Sequence, residues 1–260
     1  MIKKMSFFFK LCGIDFHKFS NSFKGLPIYW ANYKSLKQQL RNSKDFKITN
    51  LYPIFSDKFE PSGNMTGHYF HQDLIVAKKI YKNKPIRHID IGSRIDGFIA
   101  HVAIFRNIEI MDIRHQNSTV ENISFYQQDL MIPVNDSMVD CTDSISSLHA
   151  IEHFGLGRYG DSIDFEGHIK AFDNIFKMLK RGGKFYFSTP IGFQRIEFDA
   201  HRVFSLSYLI NYFQDKYIIE SFSFVDDSGL LHENAELLES NIKSNFDCHL
   251  GCGIFELIKI

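Results

Sequence analysis

The apolar positions of the chain change period along its length, and those changes predict its elements. Residues 86–91 form a short β-branched apolar run, Gly92 interrupts it, and 97–105 resumes with apolar residues at helical spacing. A buried parallel strand, a tight turn and a helix are expected there. The runs 108–111, 123–128, 138–148, 184–188 and 217–225 read as further strands, and 253–260 as a terminal strand pairing antiparallel at the sheet edge. Helical periodicity covers 30–46, 66–81, 166–179 and 205–213, and in the second of these Leu74, Ala77, Lys78 and Tyr81 share one spacing. Residues 51–63, with Pro53, Pro61 and Gly63, read as a loop, and 226–251 are acidic and poorly patterned. Strands alternating with helices indicate an α/β domain with a mostly parallel sheet.

A strand entering a helix through a glycine turn places free backbone N–H groups over the carboxyl edge of a sheet, where nucleotide-like ligands bind. Three ligand classes are separable by chemistry. A phosphate loop needs Lys and a hydroxyl after its second glycine; Gly92 and Gly97 have the spacing, but Phe98 and Ile99 follow. A dinucleotide turn needs Gly-x-Gly-x-x-Gly, and Arg94 stands where the middle glycine belongs. S-adenosylmethionine carries no phosphate, tolerates side chains in the turn, and relies on acids at successive strand ends. Asp112, twenty-two residues after Asp90, ends the second strand and can accept from both ribose hydroxyls. An ordinary strand-end or capping role competes with that reading. Asp129 ends the third strand, where it can accept from an adenine amino group while Leu130 covers the ring.

At these residues the sequence resembles class I S-adenosylmethionine-dependent methyltransferases. The matching pieces are His88-Ile-Asp-Ile-Gly92, Met111-Asp112, Gln128-Asp-Leu130, Ser146-Ser-Leu-His-Ala-Ile-Glu-His153 and the stretch 179–190. More narrowly, it is similar to an uncharacterised domain-of-unknown-function family whose bacterial members often sit among surface-polysaccharide genes. That likeness rests on Gly67-His-Tyr-Phe-His-Gln-Asp73, Asp90-Ile-Gly-Ser-Arg-Ile-Asp-Gly97, the long motif 148–161 and Ala200-His-Arg-Val-Phe204, and covers about residues 65–205. It implies a Rossmann-like, doubly wound, mostly parallel seven-stranded sheet with an antiparallel terminal strand at 65–260, preceded by an N-terminal helical extension at 1–64. It also implies S-adenosyl-L-methionine as cofactor, held by Asp90, Gly92, Ser93, Arg94, Asp112, Ile113, Asp129, Leu130 and Ser147. Ser93-Arg94 departs from the commonest turn of this class, which has a second glycine, and bears on the pose of the methionine tail. A pre-core helix often covers cofactor and acceptor in such enzymes, so His68, Tyr69 and His71 become candidate acceptor residues, with capping and packing as the competing roles.

The stretch after the fourth strand carries the candidate catalytic groups. On a helix His149 and His153, four apart, would share a face, with Glu152 between them. His-x-x-Glu-His also marks inverted zinc peptidases, but that needs a helical metalloprotease scaffold and a further ligand downstream. A sugar hydroxyl is a poor nucleophile until deprotonated, and a neutral histidine can take its proton near pH 7. His149 or His153 is therefore the expected base, with Glu152 orienting or binding. The glycine-rich stretch 154–161 reads as a loop over the site, where Arg158 and Tyr159 can engage an anionic or sugar-like acceptor. Glu197, Asp199, His201 and Arg202 form a second polar cluster expected to face the acceptor, against the bland alternative of a surface ion-pair group.

Composition adds two constraints. Net charge is zero over 260 residues with 44% hydrophobic content, enough for a sizeable core, yet residues 1–50 hold ten Lys and Arg against two Asp and Glu. The remainder therefore carries minus eight, so nucleic acid is not the expected partner of the core domain. Phe7, Phe8, Phe9, Leu11, Ile14 and Phe16 among lysines can lie on an anionic membrane surface, or pack on the domain. Lys10 cuts the apolar run too short for a signal peptide, and no stretch suits a membrane span. A cytoplasmic location is expected, with peripheral contact at the inner membrane face and a small-molecule or lipid-linked glycan acceptor. The cysteines at 12, 141, 248 and 252 suggest no disulfide framework, and Cys248-His249 with Cys252 lacks a second ligand pair, so no metal is expected. Two rivals remain. A nicotinamide-dependent oxidoreductase or epimerase would need a dinucleotide turn, which is not found. A non-catalytic cofactor-binding scaffold in a glycan assembly complex would function without the histidines.

Overall fold

The computed structural model describes residue 13 and residues 15–260, His17 in its backbone alone. The aromatic-basic stretch expected to meet a membrane lies outside the described residues apart from Gly13 and Phe16. Two compact units divide the chain after Asn64. The first holds a long helix, α1 (Phe16–Gln39), which begins well before the helix expected at residue 30. The helix passes through both Gly25 and Pro27, residues whose local preference is to break a helix. Within this unit Tyr29 packs edge-on against Phe55 with ring centroids 5.5 Å apart. No helix among the described residues is long and apolar enough to cross a membrane.

The second unit opens with α2 (His68–Asn83) and continues β1 (His88–Ile91), α3 (Ala100–Ala103, entered through a wider turn at Ile95–Ile99), β2 (Ile108–Asp112), β3 (Ile123–Gln127) and β4 (Thr142–Leu148). It proceeds through α4 (Gly167–Met178), β5 (Leu179–Ile191), the hairpin β6 (Arg195–Glu197) and β7 (His201–Val203), and α5 (Leu206–Phe213). It closes with β8 (Tyr217–Val225), β9 (Leu231–His232), α6 (Glu239–Ser244) and β10 (Gly251–Lys259). The main sheet has eight strands in the order β3-β2-β1-β4-β5-β10-β8-β9. The eighth, absent from the expected seven, is the two-residue β9 at one edge.

The terminal strand is antiparallel, as expected, but does not lie at the edge. β10 is inserted between β5 and β8 and pairs with both. An interior place suits its composition, because residues 251–257 are all buried. Residues 226–251 are also more ordered than their pattern suggested, since they carry β9 and α6.

Alternation along the strands sends side chains into two apolar layers. Phe185 and Phe187 of β5, with Phe255 of β10, pack under α4 and α5 against Phe172, Ile175 and Phe213. Tyr186 and Ile254, one residue out of phase, join Val76 and Ile80 of α2 and Phe98, Ile99 and Val102 on the opposite face. The buried residues of α2 are Gln72, Asp73, Ile75, Val76, Ala77 and Ile80; of the set that shares one spacing Ala77 is buried, whereas Leu74 and Tyr81 are exposed. β1 lies between β2 and β4, where the strand order reverses, so the crevice of this doubly wound sheet opens at its carboxyl end.

Candidate active site

The carboxyl ends of β1 to β4 open on a cavity of about 560 Å³. Its wall is made by the turn after β1 (Gly92, Ser93, Arg94), the end of β2 (Asp112, Ile113, Arg114), the segment after β3 (Gln128, Asp129, Leu130) and His149, Ala150 and His153 after β4. Tyr69 from α2 and Tyr159 from the glycine-rich loop complete it.

Gly92 makes the turn possible. Its φ is +70°, and a Cβ there would meet the Ala150 Cβ at 3.0 Å. The turn is pinned from beneath by Asp90, whose carboxylate accepts from the Ser93 N–H at 3.0 Å, the Ser93 hydroxyl at 2.7 Å and the Ser146 hydroxyl at 2.5 Å. Asp90 is fully buried and does not line the cavity, which corrects its expected contact with a cofactor. Burial pushes its carboxyl up to about 7 against the opposing pull of those three donors. Ser147 is corrected likewise: its hydroxyl donates to the Ile91 carbonyl at 2.9 Å and the residue does not line the cavity. Both residues rivet β1 to β4 and so position the turn.

Asp112 and Asp129 do line the cavity. Asp112 takes a two-pronged ion pair from Arg114, Nη2 to Oδ2 at 2.6 Å and Nε to Oδ1 at 3.0 Å. Asp129 Oδ1 accepts from the Met131 N–H at 2.8 Å, which leaves Oδ2 for a donor in the cavity. Leu130 is buried beside it. Arg114 was not anticipated; its place two residues after the strand-end acid was the available signal. Its guanidinium also lies 4.5 Å from the Tyr159 ring centroid, tying the end of β2 to the glycine-rich loop.

The two histidines reach the cavity by a route other than the expected helix. β4 ends at Leu148, His149 takes φ +50°, and Ile151–His153 is one 3₁₀ turn. No α-helical face is shared. His149 Nδ1 bonds Glu152 Oε1 at 2.8 Å, and a carboxylate can only accept, so Nδ1 carries the proton. Burial disfavours a charged His149, but the neighbouring Cys252 and Glu152 outweigh it and hold its pKa well above the usual value. Burial likewise opposes the Glu152 carboxylate, and His149 overrides it to keep that pKa low. His153 is the opposite case. Its Nδ1 lies 2.6 Å from the Ala200 carbonyl, so Nδ1–H donates and Nε2 bears the lone pair. Burial lowers its pKa despite the nearby Glu152 carboxylate, and the ring is neutral at pH 7.

The remaining expected acceptor residues separate. His68 does not line the cavity but stacks on His149, with centroids 5.2 Å apart and planes 8° from parallel. Burial, then His149, lowers its pKa to about 4. His71 lies off the cavity, edge-on to Phe70. Arg158 donates to the Ala200 carbonyl at 3.0 Å, and His201 sits 3.7 Å from Glu197; neither lines the cavity. Arg202 is buried and donates to the carbonyls of Phe154 at 2.6 Å and Phe165 at 3.0 Å, so it clips the loop rather than facing an acceptor. The same loop is shaped by Asp161, which accepts from the N–H groups of Gly155, Gly157 and Tyr159.

The sheet order and the cavity at its carboxyl edge define the Rossmann-like fold of class I methyltransferases. A solved structure with this fold, the Burkholderia thailandensis 1,6-didemethyltoxoflavin-N1-methyltransferase with bound 1,6-didemethyltoxoflavin and S-adenosylhomocysteine, is similar at 9% identity with a TM-score of 0.52, over 92% of this chain and 90% of that one. The N-methyltransferase NodS from Bradyrhizobium japonicum in complex with S-adenosylhomocysteine is similar at 12% identity with a TM-score of 0.48, over 87% and 97%. The chain belongs to the family described as Caenorhabditis protein of unknown function, DUF268, whose model matches residues 99–247. No curated protein matches it.

Proposed function

We propose that this protein is an S-adenosylmethionine-dependent methyltransferase acting on a hydroxyl of a small or glycan acceptor. The observation that carries the reading is Asp112 and Asp129 lining one cavity with the Gly92–Ser93–Arg94 turn. That donor set fits a nucleoside without phosphate. Asp112 would accept from the ribose hydroxyls, Asp129 from the adenine amino group, and the turn would meet the amino-acid tail. When bound, the cofactor supplies an electrophilic methyl group on a sulfonium sulfur.

The chain's own residues would then do four things. Glycine turn and acids hold the cofactor so that positioning supplies most of the rate. His153 accepts the acceptor proton at Nε2, while the Ala200 carbonyl fixes its tautomer. Tyr69 and Tyr159 offer flat apolar faces suited to a sugar ring, each under a guanidinium, Arg94 at 4.9 Å and Arg114 at 4.5 Å from the ring centroids. The basic amino-terminal residues would draw an anionic or lipid-linked acceptor to the inner membrane face. Of the two histidines, His153 is favoured as base because its free nitrogen is neutral, whereas His149 is committed to Glu152.

The test is calorimetric titration of S-adenosylmethionine and S-adenosylhomocysteine into wild type and Asp112→Ala. Binding by wild type and its loss in the variant are expected. A folded wild type that binds neither, alone or with a glycoside present, and instead binds NAD would sink the reading.

A further inference from the structure

Behind the cavity wall lies a cluster that methyl transfer does not use. His68 opens α2, His149 follows β4 and Cys252 sits on β10, and ligand atoms of all three lie within 4.8 Å of one another. They are far apart in sequence, so no ligand spacing announces them. Cys252 is fully buried. The His149 side chain is 6% exposed, and its Nε2 is buried with no hydrogen-bond partner. Glu152, 1% exposed, accepts from Nδ1–H at 2.8 Å and thereby turns Nε2 toward the cluster. A carboxylate on one imidazole nitrogen, with the other facing further ligand atoms, is how metal-ligating histidines are oriented.

We propose that His68, His149 and Cys252 form a binding site for a divalent transition-metal ion of the zinc class, with Glu152 orienting His149 from behind. Two imidazoles and one thiolate suit zinc better than magnesium or calcium, which take oxygen ligands. On binding, the Cys252 thiol and the His149 Nε2–H each give a proton to solvent, and sulfur, His149 Nε2 and a His68 ring nitrogen donate to the ion. Bonds of about 2.0–2.3 Å bring the ligands closer together than they now stand, and His68, half-buried at a helix start, already stacks on His149. Three protein ligands leave one tetrahedral position open, as in catalytic rather than structural zinc sites. Its bearing on the reaction rests on the methyltransferase reading, since His149 also lines the cavity; the metal site itself does not.

The full chain, stripped with a chelator, is titrated with Co²⁺ and followed by absorption. About one equivalent should bind, with a thiolate-to-cobalt charge-transfer band that Zn²⁺ bleaches. Cys252→Ser should lose the band, and Glu152→Gln should weaken binding about 10–100-fold. His68→Gln, at a half-buried helix start, keeps a folded protein available and should also weaken binding. No saturable cobalt binding, or a band that persists in Cys252→Ser, overturns the site. Parallel cofactor calorimetry separates the two readings: cobalt without cofactor binding retains the site and removes the methyltransferase, and cofactor without cobalt binding does the reverse.

Discussion

The carboxylate of Asp112 is gripped by the guanidinium of Arg114 through two N–H donors at 2.6 and 3.0 Å in the wall of the cavity. A nucleoside entering that cavity must share or displace this ion pair. Arg114 is the exposed partner, so the pair contributes little to stability and its loss is tolerable. Asp112→Ala should weaken S-adenosylhomocysteine binding about 100-fold, the loss of two hydrogen bonds to a charged acceptor. Arg114→Ala should instead tighten it a few-fold. Calorimetry on the two variants distinguishes them, and equal weakening in both would show that Arg114 holds the ligand rather than competes for it.

His153→Gln should lower kcat for a hydroxyl acceptor about 10²–10⁴-fold with cofactor affinity unchanged. Because burial holds the His153 pKa below its ordinary 6.5, the active neutral form predominates at pH 7. Activity should therefore stay level through neutrality and fall only on further acidification. A profile measured on a panel of glycosides checks this; an acidic limb unchanged in the variant would reassign the base.

Arg202 supports the loop and does not bind the acceptor. Arg202→Met leaves the carbonyls of Phe154 and Phe165 without their donors. A loss of at least about 2 kcal/mol is expected, or ~4–8 °C in Tm for a unit of this size. Thermal unfolding followed by circular dichroism would show it. An unchanged Tm with impaired acceptor binding would return Arg202 to the site.

Two core histidines should make the fold acid-sensitive. His88 is held between the hydroxyls of Ser144 and Ser146, and burial pushes its pKa down to about 3; burial also pushes His168, beside Tyr208, down to about 4. Both are neutral when folded and free to protonate near pH 6.5 when unfolded. The unfolded chain thus binds more protons between those values, and stability falls as pH drops from 6.5 toward 4. The slope should be about 1.4 kcal/mol per pH unit for each histidine. Urea unfolding of His88→Asn across this range should show the slope reduced by one proton.

The sheet was legible because its strands carry their own signals. β8 matches the expected 217–225 residue for residue, and β1 and β2 are short apolar runs that hold no other structure well. The helix predicted from residue 30 starts at Phe16 and takes in Gly25 and Pro27, residues whose local preference is to break a helix. β10 was misplaced because a strand's period says nothing about which neighbours it will take. Asp112 and Asp129 were readable as cavity acids because a strand end of known position also fixes the direction in which the chain exits. Asp90 and Ser147 were not separable from them, since one residue of pleat decides whether a side chain meets the cavity or the interior.

Local pattern alone determined the strand and helix alternation, the glycine turn and the acids that follow β2 and β3. Tertiary structure decided everything that depends on distance across the chain. It gave His153 a neutral nitrogen by placing the Ala200 carbonyl at 2.6 Å, and turned Arg202 from an acceptor residue into a loop clip. It also brought His68, His149 and Cys252 together. The physical reason is that backbone periodicity is a property of neighbours within a few residues, whereas protonation, hydrogen bonding and ligation are settled by whichever groups packing delivers within a few ångströms.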